Sequence, residues 1–312
     1  MTEVKKIATR ESYGNALKEL GESNENIVVL DADLSGATKT SVFKKDFPER
    51  HFNVGIAEAD LIGISAGLAA AGKIPFASTF AMFASGRAFE QVRNSVAYPH
   101  LNVKICATHG GISVGEDGAS HQCLEDLAMM RNLPGMTVMC PSDDVEARKA
   151  LKAAAEMDGP VYIRFGRAAV PVFHKEDMEF EIGKGELVKE GKDVTVVANG
   201  LCVAPMLEAA ELLKEEGIDV EVINICTIKP LDEEIILTSA KKTGKVITAE
   251  EAWVTGGLGG AVCELLSEKC PTPVLRLGMP DRFGESGPAA QLLEKYGFTK
   301  EAYAENIREF VK

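Results

Sequence analysis

The sequence is poor in basic residues. Lys and Arg together number 34, against 47 Asp and Glu, so the formal charge of the 312-residue chain is −13. Nucleic acids are bound largely through positive side chains that face phosphates, and a chain this acidic offers no such general field. We therefore expect no nucleic-acid partner.

Long apolar runs and paired cysteines are also missing. The most apolar stretch, residues 61–86, contains Lys73 and Pro75, so it predicts a buried helix and strand rather than a membrane span. The first twelve residues include no apolar segment of a secretion signal. The seven cysteines are odd in number and form no Cys-x-x-Cys pair, which is typical of reduced thiols. These features predict a cytoplasmic chain with no membrane partner.

The composition that is present is typical of a folded α/β protein. Hydrophobic residues make up 46% and charged residues 26%, and the length suits two domains of ~150 residues. Short β-branched runs alternate with helical patterns, as in a mostly parallel sheet with helices on both faces. In the first half, strands are predicted at 27–30, 74–79, 103–107, 137–139 and 161–165, and helices at 13–20, 58–71, 83–96, 123–132 and 144–156, the last with Ser142 as its N-cap.

This alternation stops between residues 168 and 193, where the chain is charged and rich in glycine. We predict a first domain at 1–172, a linker at 173–190 and a second domain at 191–312. The fold class is therefore α/β, with two domains that each contain a mostly parallel sheet flanked by helices. In the second half, strands are predicted at 194–198, 220–225, 246–249 and 274–277, and helices at 204–216, 232–243, 259–269, 289–296 and 300–311.

Glu58 is the first candidate for chemistry, because it begins the buried helix. After Asp60, the next charged residue is Lys73. A carboxyl group in such surroundings can hold or donate a proton near neutral pH. The alternative is an ordinary glutamate in a first helical turn, stabilised by the helix dipole.

The loop 108–122 follows a predicted strand and contains His109, Asp117 and His121. Ligands of open parallel sheets bind at the carboxyl ends of strands, where this loop lies. Its side chains suit hydrogen bonding to a polyhydroxylated substrate and proton transfer. His and Asp also bind metals, but their spacing here matches no zinc motif. An ordinary surface turn is the remaining alternative.

Two further segments allow a structural as well as a functional interpretation. Phe80 and Phe83 follow another strand and can be core residues or a stacking wall for a flat cofactor ring. The glycines at 256–260 precede a helix and can cradle a phosphate or simply permit close packing. They form no G-x-G-x-x-G, so close packing is favoured there.

Together and in this order, the segments resemble the C-terminal half of transketolase, a thiamine-diphosphate enzyme. The resemblance covers nearly the whole chain, and the His loop is its most diagnostic part. The matching segments are Ala8-Thr9-Arg10, Asp31-Ala32-Asp33-Leu34, Gly55-Ile56-Ala57-Glu58, residues 78–83, the loop 108–122, and Arg167.

The resemblance implies a function, a cofactor and a set of site residues. A two-carbon ketol unit would pass from a ketose phosphate to an aldose phosphate, as in the pentose phosphate pathway, with thiamine diphosphate as the electron sink. Its implied catalytic residues are Glu58, on N1′ of the aminopyrimidine, with His109 and His121. The implied cofactor contacts are Glu58, Phe80, Phe83 and Asp33; the implied substrate contacts are Arg10, His109, Asp117, His121 and Arg167.

Two departures from the family pattern stand out. Ala37 replaces a serine that usually binds phosphate, with Thr38 beside it. The Gly-Asp-Gly motif through which the other half of the family binds the diphosphate and Mg²⁺ (or Ca²⁺) is missing. We therefore expect no metal site in this chain. A separate N-terminal partner chain would hold the metal and share the cofactor, in an α2β2 heterotetramer.

Several alternatives share this two-domain half or these residues. 1-Deoxy-D-xylulose-5-phosphate synthase usually has an aspartate where this chain has His109, and the β subunit of 2-oxo acid dehydrogenase E1 typically lacks the paired-histidine loop. A non-catalytic paralogue would only bind the partner chain. A metal-dependent hydrolase would use His109, Asp117 and His121 as ligands.

Overall fold

The computed structural model describes residues 5–312, which form two α/β units. Its strands are β1 Lys6–Ala8, β2 Ile27–Asp31, β3 His51–Asn53, β4 Ile74–Phe80, β5 Lys104–Thr108, β6 Thr137–Met139, β7 Val161–Phe165, β8 Ala169–Pro171, β9 Glu186–Lys189, β10 Val194–Ala198, β11 Val220–Asn224, β12 Thr227–Lys229, β13 Val246–Trp253 and β14 Val274–Met279. Its α-helices are α1 Thr9–Ser23, α2 Ser35–Thr38, α3 Ser41–Asp46, α4 Glu58–Ala70, α5 Phe89–Gln91, α6 Asp126–Arg131, α7 Asp144–Glu156, α8 Val203–Glu215, α9 Glu233–Thr243, α10 Leu258–Lys269, α11 Ala289–Lys295 and α12 Lys300–Val311.

The first unit is built on a seven-stranded sheet with the order β12-β6-β7-β5-β4-β2-β3. All neighbours are parallel except β12, which pairs antiparallel to β6. Helices α1 and α7 pack against one face through residues such as Tyr13 and Leu151, and α4 and α6 cover the other through Leu61 and Leu127. The strands are buried on both faces, as expected for a parallel sheet.

The second unit has a five-stranded sheet with the order β14-β13-β10-β11-β9, parallel except at β9. Its two cores lie on opposite faces of this sheet, one filled by α8 and α12 and the other by α9 and α10. Two mostly parallel sheets flanked by helices confirm the predicted α/β class.

Two short strands, β9 and β12, lie where the sequence predicted none. Strand β9 lies inside the predicted linker 173–190 but forms the edge of the second sheet. Strand β12 comes from the second half of the chain yet pairs with β6 of the first sheet. The linker is therefore not irregular throughout, and the predicted limits of the domains stay a prediction.

Two local predictions were wrong. The predicted helix 83–96 consists of π-helical turns at Phe83–Arg87 and Val92–Ala97 on either side of α5. Helix α7 is capped by Asp143, whose carboxylate accepts from the backbone N of Glu146 at 3.0 Å. Ser142 instead donates its hydroxyl to Glu146 Oε2 at 2.6 Å, so both residues take part in a capping network one position later than predicted.

Candidate active site

The strand register brings four carboxyl ends to one edge of the first sheet. Asp31 is level with Ser78, Phe80 with Thr108, and Thr108 with Phe165. Parallel strands that end together leave a crevice beyond them, which is where open α/β sheets bind ligands. The residues that follow these ends include four of the nine sequence-predicted site residues: Asp33, Phe83, His109 and Arg167.

Glu58 begins α4 at the rim of this crevice. Glu58 is 1% exposed, and its Oε2 accepts a hydrogen bond from Arg87 Nη1 at 2.7 Å. The Arg87 side chain is 50% exposed, and its guanidinium carbon lies 4.4 Å from the centre of the Phe83 ring. The buried carboxylate is thus held by a half-exposed cation that also covers an aromatic ring.

Aromatic side chains form a continuous stack in the same crevice. The Phe80 and Phe83 rings are nearly parallel, with centroids 5.8 Å apart, and the His109 ring stacks on Phe80 at 3.9 Å. His121 meets the edge of Phe83 at 5.4 Å. Phe83 is half-buried and the Arg87 guanidinium lies over its ring, so a flat ring that stacks on Phe83 beside the Glu58 carboxyl would take the place of Arg87. The residues present therefore fit the aminopyrimidine of thiamine.

His109 is held as a neutral imidazole. Burial, and then the charges of Arg10 and Arg167, lower its pKa to about 3. Arg10 Nη1 donates to its Nε2 at 3.2 Å, so the proton resides on Nδ1 and is donated to Thr108 Oγ1 at 2.8 Å. The residue adopts φ 59°, a left-handed conformation that non-glycine residues rarely adopt. A residue held in this way can accept or donate hydrogen bonds without becoming charged.

The loop that contains His109 is fixed by groups from both units. Arg164 donates from Nη2 to the carbonyls of Glu251 at 2.8 Å and Cys123 at 3.2 Å. Glu251 Oε1 accepts from the backbone N of Ser113 at 2.6 Å. Arg164 and Glu251 lie so close to Gly110 and Gly111 that a Cβ at either glycine would overlap them. The second unit therefore buttresses the site loop, and these glycines are required by close approach.

Arg10 and Arg167 lie on the same side of the crevice as His109. Arg10 begins α1 and also donates to the Ala37 carbonyl at 3.0 Å. Burial and the charge of Arg167 lower the pKa of Arg10. Arg167 donates to the Val114 carbonyl and to Glu116 at 3.2 Å, and lies 3.9 Å from Asp117. The two guanidinium groups are thus close enough for the charge of Arg167 to affect the pKa of Arg10.

Asp33 and Asp31 have different surroundings, although they are two residues apart. Asp33 is exposed, has φ 62°, and accepts from Asn53 Nδ2 at 3.1 Å. Asp31 is buried and holds the following loop through the backbone N of Leu34 and the hydroxyls of Thr38 at 2.9 Å and Thr40 at 3.1 Å. Burial raises the pKa of Asp31. Asp31 therefore orders the loop on which Asp33 and Ala37 lie.

Two alternatives drawn from the sequence lose their structural basis. Within residues 5–312, no three His, Cys, Asp or Glu side chains are grouped so as to hold a metal. His109 is engaged by Thr108 and Arg10, not by Asp117 or His121. At the glycine turn 256–260, the Glu250 carboxylate accepts from the backbone N of Leu258 and Gly259 at 2.8 Å each. That helix N-terminus is filled by a side chain of the protein itself.

Some functional side chains were not found from the sequence. Arg87 contacts Glu58 across 29 residues, and Arg164 contacts the backbone of Glu251 across 87. No short-range pattern reports such pairs.

In the part of the chain that the structure describes, no helix is both long and apolar enough to span a membrane.

Comparison with known proteins assigns the family. The model of the transketolase pyrimidine-binding domain matches residues 5–172, and that of the transketolase C-terminal domain matches residues 183–302. The chain belongs to the transketolase family. The predicted resemblance is thereby confirmed.

The similar relatives include separate transketolase subunits. A putative transketolase C-terminal section from Methanocaldococcus jannaschii is 51% identical over 306 residues, covering 97% of this chain and 96% of that protein. A 6-deoxy-6-sulfo-D-fructose transketolase subunit from a Clostridium species is 48% identical, covering 93% and 90%. A solved structure described as a split gene transketolase, inactive β4 tetramer, has a TM-score of 0.91 and 57% identity, covering 98% of both chains.

Single-chain relatives match this chain over about half of their length. A 1-deoxy-D-xylulose-5-phosphate synthase from Geobacter sulfurreducens is 43% identical over 304 residues, and the match covers 47% of that enzyme. It is more distant than the two subunits above, which favours a transketolase-type subunit over the synthase alternative.

Proposed function

We propose that this chain is the C-terminal subunit of a two-chain transketolase that moves a two-carbon ketol unit from a ketose phosphate to an aldose phosphate. The observation that carries the proposal is the continuous arrangement of Glu58, the stacked Phe80 and Phe83, and His109 at one sheet edge. Thiamine diphosphate, when bound, supplies the electron sink for breaking a carbon–carbon bond.

The residues at this edge divide into two groups by what they can contact. Glu58 has one oxygen held by Arg87, which leaves the other to hydrogen-bond a ring nitrogen and hold a proton there. Phe80 and Phe83 support the ring by stacking, and Asp33 is exposed just beyond the end of β2 at the same sheet edge. These four residues form this chain's share of the cofactor site.

The second group faces the substrate. Nε2 of neutral His109 can accept from a sugar hydroxyl when Arg10 turns to a phosphate. His121 at the edge of Phe83 can move a proton to or from the same substrate. Asp117 is half-exposed and suited to a sugar hydroxyl. Arg10 and Arg167 offer planar donors to a terminal phosphate.

The remaining half of the site comes from an N-terminal partner chain. A diphosphate needs a metal or a cationic clamp, and this chain carries no Gly-Asp-Gly motif to bind one. We infer that the partner binds Mg²⁺ (or Ca²⁺) together with the diphosphate, and that two copies of each chain form an α2β2 heterotetramer. The acidic composition and reduced cysteines support our proposal of a cytoplasmic enzyme. We also propose that its substrates are sugar phosphates of the pentose phosphate pathway.

Reconstitution tests the proposal. The chain is mixed with the N-terminal chain, thiamine diphosphate and Mg²⁺, and transfer of a ¹³C-labelled two-carbon unit from a ketose phosphate to an aldose phosphate is followed by NMR. Each chain alone and the Glu58→Gln complex are the controls. Transfer only by the complete parent mixture supports the proposal. No transfer, or equal transfer by Glu58→Gln, contradicts it.

A further inference from the structure

A third cation lies beside the two arginines of the substrate side. Lys39 follows α2 and packs against α1: a Cβ at Gly14 would lie 2.7 Å from the Lys39 carbonyl oxygen. The Lys39 ammonium is 3.7 Å from Glu11 Oε1, and Glu11 is the neighbour of Arg10. Ala37, two residues before Lys39, accepts from Arg10 at 3.0 Å. Lys39 and Arg10 are therefore joined through both α1 and the loop.

Neither residue 37 nor residue 38 of this loop offers a free hydroxyl to a ligand. Residue 37 is alanine, and the Thr38 hydroxyl is fully buried and bound to Asp31 Oδ2 at 2.9 Å. Thr38 also lies 3.1 Å from the Thr40 hydroxyl, which is itself bound to Asp31. Thr38 therefore cannot replace the missing serine as a donor without leaving a buried carboxylate short of a partner.

Lys39 is positioned to replace that donor with a charge. Its backbone is left-handed, with φ 73° and ψ 8°, at the end of a four-residue helix. Its side chain is 30% exposed, and its ion pair with Glu11 is near the outer limit of such contacts. A pair of this kind stabilises little and can be given up to a stronger anion.

Arg10, Arg167 and Lys39 all act on His109. The charges that lower the pKa of His109, after burial, are those of Arg10, Arg167, His121 and Lys39. The facing carboxylates are Glu11 on Lys39, and Glu116 and Asp117 on Arg167, at 3.2 to 3.9 Å. Those three carboxylates are at the surface, and the buried carboxylate of Asp31 is already bound by the backbone N of Leu34 and the hydroxyls of Thr38 and Thr40. An incoming anion therefore meets cations whose carboxylate partners are at the surface.

We propose that Lys39 is a specificity-determining residue that, with Arg10 and Arg167, binds the phosphate group of the sugar substrate in place of a hydroxyl at residue 37. This inference rests on the proposed function. A phosphate monoester carries about −1.5 to −2 charges at neutral pH, so a third cation favours it over an uncharged terminus. Lys39 then acts on the choice of substrate and not on the bond-breaking step.

Steady-state kinetics of the reconstituted complex test this role. KM and kcat are measured for an aldose phosphate and for the same aldose without phosphate, in the parent, Lys39→Gln and Lys39→Arg complexes. We expect Lys39→Gln to raise KM for the phosphorylated acceptor about tenfold, with kcat and the unphosphorylated acceptor changed less than about twofold. Lys39→Arg should stay within about threefold, because it keeps the charge.

Two further variants separate a binding role from a structural one. Lys18→Gln removes a lysine of α1 itself, which is paired with Asp46 at 2.8 Å. This variant should leave KM for both acceptors unchanged. Ala37→Ser restores the family's hydroxyl, so the Lys39→Gln/Ala37→Ser chain should recover part of the lost affinity. Equal KM for Lys39→Gln and parent, or equal effects on both acceptors, overturns the proposal.

A binding measurement keeps this inference separate from the proposed function. Inorganic phosphate is titrated into the isolated full-length parent, Lys39→Gln and Lys18→Gln chains by calorimetry. Weaker phosphate binding by Lys39→Gln alone supports the anion site even if the complex transfers no ketol unit. Identical phosphate affinity in parent and Lys39→Gln contradicts the site, whatever the complex catalyses.

Discussion

Arg87 donates from Nη1 to Oε2 of Glu58 at 2.7 Å, which joins a half-exposed guanidinium to a carboxylate that is 1% exposed. This is the one hydrogen bond recorded for the Glu58 side chain within residues 5–312. The pair lets a buried carboxylate exist at the start of α4 while one of its oxygens stays available. The same pair makes the stability of the free chain depend on Arg87.

Replacing Arg87 with alanine should destabilise the isolated chain. The change leaves a buried carboxylate without its donor, which costs about 1–3 kcal/mol of unfolding free energy. Arg93 is an exposed arginine that bonds only to its neighbour Asn94, so Arg93→Ala is the matched control. Urea unfolding of both variants checks this, and equal stabilities would contradict the role given to Arg87.

Glu58→Gln should separate folding from turnover. Glutamine keeps an oxygen that accepts from Arg87, so the loss of stability should be below about 1 kcal/mol. It cannot hold a carboxyl proton, so kcat of the reconstituted complex should fall about 10²- to 10⁴-fold. A fall of only a few-fold, with normal folding, would show that another group provides the proton.

His109 should remain a neutral Nδ1–H tautomer across the working pH range. Its pKa of about 3 follows from burial and from the nearby cations, Arg10 first. Long-range ¹H–¹⁵N NMR of the imidazole should show no titration between pH 5 and 8, and Arg10→Ala should move the titration to higher pH. A parent His109 that titrates near pH 6.5 would be inconsistent with this geometry.

Stability should fall as the pH rises through the range in which Glu251 titrates. Burial raises the pKa of Glu251 from 4.5 to about 7, because the ionised form is disfavoured between the two units. The unfolded chain releases this proton at a lower pH than the folded chain does, so folding loses up to about 3 kcal/mol between pH 4.5 and 7. Glu251→Gln keeps the acceptor for Ser113 and should flatten that part of the stability curve. An unchanged slope would contradict the assignment.

The sequence predicted the parallel strands well, because their β-branched runs are buried on both faces. Thr137–Met139, Val161–Phe165 and Val194–Ala198 match the predicted limits. The four-residue strand β9 and the three-residue strand β12 were missed. Their pairing depends on partners far away in the chain, which no local period reports.

The candidate site was predictable only in part. Residues at strand ends, such as Phe80 and His109, follow from topology, because parallel strands end at one edge. Arg87 does not, because it ends a π-helical turn that departs from the 3.6-residue period, and its contact with Glu58 spans 29 residues. The cap of α7 was misplaced by one residue because Ser142 and Asp143 are both good caps. Asp143 is selected because its second oxygen accepts from the backbone N of Phe173 and His174 at 2.9 and 2.8 Å.

Equilibrium binding of thiamine diphosphate tests most directly whether the Glu58 edge is half of a shared site. Labelled cofactor is titrated, with Mg²⁺ present, into this chain alone, into the N-terminal chain alone, and into their mixture, with the Glu58→Gln mixture as control. We expect saturable binding of full affinity only in the parent mixture, and weaker binding with Glu58→Gln. Saturable binding of full affinity by this chain alone, or a mixture that is insensitive to Glu58→Gln, would contradict the account.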